Sequence, residues 1–272
     1  MADERPKYGM LTNPARDIVR EIRSAKSMGF DFVELGLEIP EGSADALKGK
    51  QEAILKVLAS FSHPAIAHTA YWLDLWTDYE EVRNAYVNIC KRLVHVAASL
   101  GCMKINIHSP HFYGKYSQIE KHKRRGLSNF VKSLREISSF SKPRGVMVIL
   151  ENSPTPKSVR LKDFSHIVES VRDIGVHLDT GHAFIEEGMR GVEMYLRAFR
   201  QRLEHIHFND NLGISDEHIG IGDGAVDFIK VMKILRRFRY SKTITLEVFS
   251  SRKDLKDSLK YVKDLEEDLW SR

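Results

Sequence analysis

Six successive apolar runs in this chain each end on an imidazole or a carboxylate. The third run from the N-terminus ends at His68, the fourth at His108 and the fifth, VMVIL, at Glu151. The sixth ends at Asp179, with His182 three residues on. The seventh carries His205 and His207 and then Asp210, and the segment after it carries Asp216 and His218. The eighth, TITL, ends at Glu247. Single histidines in strands are usually satisfied core or surface residues. Six in a row at corresponding strand ends point to one shared site. Imidazole and carboxylate together suit Zn²⁺ or Mn²⁺, whereas carboxylate and water alone would suit Mg²⁺. Glu151 and Glu247 follow wholly apolar runs, and a carboxylate at the end of a buried strand needs a partner or a metal. Two such carboxylates can also act as a base and acid pair in proton transfer. The two-residue period of a strand puts His205 and His207 on one face. His207 is read as the ligand and His205 as the layer beneath it, with His177 likewise one layer below Asp179.

Those side chains need a scaffold that brings many strand ends together. Strand-like runs over 7–11, 30–37, 65–70, 103–109, 146–151, 175–179, 203–209 and 243–249 alternate with helical patterns. The helices are expected over 14–29, 44–60, 79–100, 118–138, 161–173, 192–202, 226–237 and 254–270. Pro14 fits a first helical turn and Gly29 a helix stop. Strict alternation implies parallel strands joined by right-handed crossovers. Eight units in 272 residues predict a closed (β/α)₈ TIM barrel, whose site lies at the C-terminal rim of the strands. An open doubly wound sheet is the alternative, but no G-x-G-x-x-G follows the first run. No linker or low-complexity stretch divides the chain, so residues 1–272 are expected to form one domain.

Composition narrows the class further. Hydrophobic residues make up 42% and charged residues 29% of the chain, which excludes disordered, collagen-like and coiled-coil classes. Lys and Arg number 42 against 37 Asp and Glu, a net +5 that permits a phosphate-bearing partner without demanding one. Cys90 and Cys102 cannot build a disulfide framework and read as buried thiols in a reducing compartment. There is no run of 18 apolar residues and no signal-like N-terminus, so a cytoplasmic protein without membrane contact is expected.

With the strand ends go the motifs GFDFVELGLE (29–38), AHTA (67–70), NIHSP (106–110), ILEN (149–152), HLDTGHAF (177–184), HIHFND (205–210), DEHIGIGDGAVDF (216–228) and TLEVF (245–249). In this order and spacing the chain resembles the xylose isomerase-like barrel superfamily, from Tyr8 to the last helix. That superfamily contains sugar and sugar-phosphate isomerases and epimerases as well as apurinic endonuclease IV. In the epimerase branch the resemblance implies one metal held by Glu151, Asp179, His207 and Glu247, with His182 contacting substrate. In the endonuclease branch it implies three zinc ions held by those four together with His68, His108, His182, Asp216 and His218. All nine residue types match. The implied cofactor is therefore one to three divalent ions, Zn²⁺ or Mn²⁺. The flanks GFDFVELGLE and GDGAVDF are similar to the isomerase branch. The loop EIPEGSADA after strand two is acidic and lacks the Arg that the endonuclease wedges into DNA.

Two reactions follow. The first, favoured by the paired carboxylates and the isomerase-like flanks, is isomerisation or epimerisation of a small sugar or sugar phosphate. Glu151 and Glu247 would face opposite sides of the reacting carbon, one removing a proton and the other returning it, while the metal stabilises the enediolate. The second is zinc-dependent phosphodiester hydrolysis at an abasic site in nucleic acid, by a metal-activated water. The basic segments 121–125 (KHKRR) and 236–239 (RRFR) could touch phosphates there, although they read more simply as solvated helix faces. A barrel that binds a ligand without turnover finds no support, because every carboxylate the chemistry needs is present. Tyr71, Trp72, Trp76 and Phe249 are candidates for lining a substrate pocket, with Phe112 and Tyr113 weaker ones. Oligomeric state is not readable from the sequence.

Overall fold

The computed structural model describes residues 5–112, 119–153 and 158–271. Eight strands, β1 (Lys7–Leu11), β2 (Phe32–Leu37), β3 (Ile66–Thr69), β4 (Lys104–His108), β5 (Met147–Glu151), β6 (Gly175–Asp179), β7 (Leu203–Phe208) and β8 (Thr243–Leu246), pair in sequence order. All pairs are parallel, and β1 also pairs with β8, with Gly9 opposite Thr245. The sheet is therefore a closed (β/α)₈ barrel and not an open one. Among the described residues the outer layer holds α1 (Ile18–Met28), α2 (Ala44–Gly49), α3 (Gln51–Leu58), α4 (Glu80–Ser99), α5 (Glu120–Ser141), α6 (Leu161–Ser170), α7 (Thr180–Ala198), α8 (Phe228–Phe238) and α9 (Arg252–Trp270).

Local chemistry sets the element ends. Asp17 caps α1 by accepting the Arg20 N–H at 2.9 Å, and Gly29, at φ +87°, closes it in the left-handed region that favours glycine. The apolar stripe Ile18, Ile22 and Ala25 is fully buried against the barrel. Two helices differ from the sequence reading. The helix expected over 44–60 is α2 and α3, broken at Lys50, whose ammonium is held by Asp17 at 2.9 Å and Glu41 at 2.6 Å. The helix expected over 192–202 starts twelve residues earlier, at Thr180. Gly188, at φ +60°, kinks it, and the sequence pattern had caught only the half after the kink.

The barrel wall is apolar outward, where a large cluster packs strands against helices. Its interior is different. Among the described residues, Phe32, Ile66 and Ile149 form a small apolar plug there. Above them the inward positions of neighbouring strands carry polar groups in register. His177 lies opposite Glu151 and His205, Asp179 opposite His207, and His108 opposite Glu151. Buried polar groups in a low-dielectric interior must satisfy one another, so the fold is committed to a polar network at its centre. No described helix is long and apolar enough to cross a membrane.

Candidate metal centre

Glu151, Asp179, His207 and Glu247 come from the ends of β5 and β6, from β7, and from the residue after β8. Each offers a donor atom, and the four atoms lie within 4.8 Å of one another with all four residues buried. His207 presents Nδ1 to this group, 3.0 Å from Glu247 Oε2, 3.8 Å from Asp179 Oδ2 and 3.9 Å from Glu151 Oε1. Glu151 also belongs to a second group with His68 and His108. Its Oε2 is 3.1 Å from His108 Nε2 and 3.6 Å from His68 Nε2. A third set is centred on Asp216, whose Oδ2 lies 3.1 Å from His182 Nε2 and 3.0 Å from His218 Nε2. The nine residues singled out from the sequence thus fall into three adjoining donor sets, the first two joined through Glu151.

Each ligand candidate is aimed by its element. Asp179 is both the last residue of β6 and the N-cap of α7, and it accepts the His182 N–H at 2.7 Å. That cap fixes His182 in the first helical turn beside it. His182 Nδ1–H reaches the Asn152 carbonyl at 2.8 Å, which leaves Nε2 for Asp216. The loop carrying Asp216 and His218 is tied down by Asp210, which accepts N–H groups from Asn211, Gly222, Gly224 and Val226 at 2.8–3.1 Å. An antiparallel bridge between Asp210 and Ile219 closes it.

The donor set fits divalent cations. Three carboxylates, those of Glu151, Asp179 and Glu247, crowd one buried spot. Both nitrogens of His68 and Nδ1 of His108 are buried without a hydrogen-bond partner. Imidazole nitrogens facing clustered carboxylates are a donor set for Zn²⁺ or Mn²⁺ rather than for a hard, oxygen-only site. The electrostatics agree. Burial pushes the Asp179 carboxyl up to about 7, with Glu247, Asp216 and Glu151 adding to the rise against the opposing pull of His182. Burial works against a charged imidazole at His218, but Glu247 and Asp216 overcome it and raise the group to about 9. His182 and His207 are raised the same way, by Asp179 and Asp216 and by Glu247 and Glu34. Burial opposes the ionised Glu247, yet His207 and His218 hold it down to about 2. Imidazoles that balance clustered carboxylates in this way would release protons to a cation bound in their place.

A cavity of ≈ 670 Å³ opens over the rim and is lined by seven of the nine, namely His68, His108, Glu151, His182, Asp216, His218 and Glu247. Asp179 and His207 lie beneath it. Tyr71 and Phe249 line the walls, and the Phe249 ring lies 4.6 Å from that of His218. Trp72 and Trp76 are placed elsewhere. Trp76 packs edge-on against Phe112 at 4.6 Å, and neither tryptophan is among the cavity-lining residues. Tyr113 lies outside the described residues. His111, which the strand-end pattern does not mark, also lines the cavity, as do Arg16 and Arg252.

Sequence reasoning passed over Glu34 and Asn106. Glu34 sits in FVELGL, a strand buried at all six positions, which is the same signal that singled out Glu151. Asn106 donates to Glu151 Oε2 and receives His177 Nδ1 at 2.9 Å. No residue of the two basic segments is among those lining the cavity. Arg124 pairs with Glu120, Arg125 with Asp78 and Lys123 with Asp163. Arg236–Arg239 end α8, at the face of the barrel opposite the cavity, because each helix runs back from the rim.

Comparison with known proteins gives the family. An uncharacterised protein of Methanocaldococcus jannaschii is 26% identical over 176 residues, which cover 64% of this chain and 66%, just under two thirds, of that protein. A probable endonuclease 4 of Aquifex aeolicus is 26% identical over 259 residues, 87% of this chain and 89% of the relative. Among solved structures, a D-tagatose 3-epimerase-like protein superposes with a TM-score of 0.83 at 21% identity, covering 97% of this chain and 98% of that one. At that identity the likeness is one of fold. The family model described as xylose isomerase-like TIM barrel matches residues 22–265, and the chain belongs to that family.

Proposed function

We propose that this protein is a multinuclear, divalent-metal-dependent phosphoester hydrolase acting in the cavity over the strand ends. The observation that carries the reading is the division of nine donors into three adjoining sets. The Asp216–His182–His218 set and the His68–His108 pair add five donors to the four that a one-metal site needs. The 26% identity to a probable endonuclease 4 along 87% of the chain supports the same chemistry. Bound divalent ions would supply Lewis acidity, activating a water and neutralising phosphoryl oxygens. The protein's own part is positional. Asn106 holds Glu151, Asp216 aligns two imidazoles, and Phe249 packs on His218. Arg16 and Arg252 also line the cavity, both within ion-pair distance of Glu21. The cavity volume suits a ligand the size of a nucleotide or sugar phosphate.

A second reading, epimerisation or isomerisation of a small sugar, is favoured by one observation. Glu151 and Glu247, the two candidate proton-transfer carboxylates, both reach the cavity wall. One experiment separates the two. The protein is loaded with zinc, its metal is counted by mass spectrometry, and it is assayed on abasic duplex DNA, a small phosphodiester and sugar phosphates. Ketose substrates in deuterated water are run in parallel. Two or three ions per chain with phosphoester cleavage is the expected result. One ion with deuterium incorporation at a ketose carbon would reverse the assignment.

A further inference from the structure

Beneath the donor sets lies a carboxylate that is not among the residues lining the cavity, although it lies close to His68 as well as to His207. Glu34, on β2, is 0% exposed. Its Oε2 lies 2.9 Å from His207 Nε2, 3.1 Å from His205 Nε2 and 2.6 Å from the Thr245 hydroxyl. His207 therefore stands between two different surroundings. Its Nε2 meets Glu34, and its Nδ1 meets Glu247, Asp179 and Glu151. An imidazole that donates from Nε2 has its lone pair on Nδ1, and only a lone pair can bind a cation. His205 cannot take over this task, because its Nδ1 is engaged by Thr243 at 2.8 Å.

We infer that Glu34 is a positioning residue for the metal centre: by accepting the His207 Nε2–H it fixes the tautomer and ring plane that turn Nδ1 toward Glu151, Asp179 and Glu247. This rests on the reading that the four-donor set binds a divalent ion. The β-barrel makes the arrangement specific. Glu34 reaches His207 across the interior from β2 to β7, a sequence separation of 173 residues. The carboxylate also raises the basicity of the ligand, and loss of such outer partners typically costs about 10–100-fold in metal affinity.

The probe is zinc alone, titrated into chelator-treated protein against a chromophoric competitor, with wild type, Glu34→Gln and Thr245→Val compared. Glu34→Gln keeps the shape and removes the charge; about tenfold weaker zinc binding is expected at one equivalent per chain. Thr245→Val removes a donor to Glu34 and leaves the Glu34–His207 contact in place, and a smaller weakening is expected. In zinc-loaded wild type carrying ¹⁵N-histidine, His207 should show a ligated Nδ1 and a protonated Nε2. A merely structural Glu34 would lower the melting temperature of Glu34→Gln in excess chelator and leave its zinc affinity at the wild-type value. That result overturns the inference, as does a His207 ligated through Nε2. If Glu34→Gln does not fold, unchanged zinc affinity in a folded Thr245→Val overturns it equally. Wild type that binds no zinc sinks the metal-centre reading itself, a distinguishable outcome.

Discussion

Asp216 illustrates how much one side chain carries here. Its Oδ2 serves both His182 and His218, and its Oδ1 accepts from Asn209 at 2.6 Å. Asp216→Asn keeps the shape and removes the charge between two imidazoles. The zinc count of the variant is expected to fall by one per chain while the four-donor set still fills, as read by metal analysis after dialysis. A full complement of zinc would show that Asp216 is not a ligand. The imidazoles also set a pH dependence. The His218 group is raised from 6.5 to about 9, mainly by Glu247 and Asp216 against the effect of burial. A raised pKa means stability that is fully present below pH 6.5 and lost as pH rises through 9. Protein held in chelator should therefore melt at lower temperature at pH 9 than at pH 6.5. Zinc binds the deprotonated ring, so the melting-temperature gap between zinc-loaded and chelated samples should widen over that window. A gap independent of pH would contradict the assignment of His218. At this scale the sequence was informative because a buried charge must be compensated, and Glu151 and Glu247 announced themselves by ending apolar runs. Glu34 sent the same signal from mid-strand, where nothing in one dimension shows that His205, His207 and Thr245 surround it.

The elements convert those residues into a site through their ends. β6 passes into α7 with no intervening loop, and Asp179 serves both as strand terminus and helix cap. The segment between β7 and α8 has little regular structure, so Asp210 holds it in shape with four accepted backbone N–H groups. Asp210→Ala would leave those donors without their acceptor. Each buried unsatisfied donor costs about 1–3 kcal/mol, discounted where water reaches it. The variant should lose at least about 2 kcal/mol by denaturant titration and release zinc from the Asp216 set first. Unchanged stability and metal content would show that the loop holds itself. Helix boundaries were the weakest part of the sequence reading for a related reason. The first half of α7 opens with Thr180, Gly181 and His182, poor helix formers held helical by the Asp179 cap and by packing against β7, and it ends at the kink at Gly188. At the break between α2 and α3, Lys50 is likewise held by a residue far off in the chain, Asp17.

For the whole molecule, closure of the barrel is what makes nine residues from six strands into neighbours. Both thiols sit in the apolar layers of that closed structure, and burial pushes Cys90 and Cys102 up to about 12. Neither should react with a thiol reagent at pH 8 in the native state, and two thiols per chain should label on unfolding in guanidinium. Rapid labelling of the native protein would mean that the barrel opens locally. The sequence by itself determined the alternation of strands and helices, because hydrophobic periodicity is a local property of the chain. It favoured a closed barrel over an open doubly wound sheet, because eight β/α units alternate without a G-x-G-x-x-G after the first strand, and the pairing of β1 with β8 decides it. The strand-end chemistry followed from the same pattern, as a charge next to an apolar run is visible without coordinates. Only the tertiary structure decided how those groups divide. Register across β4 to β7 set Glu151 between the histidines of β3 and β4 and the carboxylates of β6 and β8. The chain fold placed Trp76 against Phe112 instead of in the cavity, paired the Lys123, Arg124 and Arg125 cations with carboxylates, and set Glu34 beneath His207. These are contacts between residues far apart in the chain, and distance in space is fixed by packing, which a one-dimensional pattern does not encode.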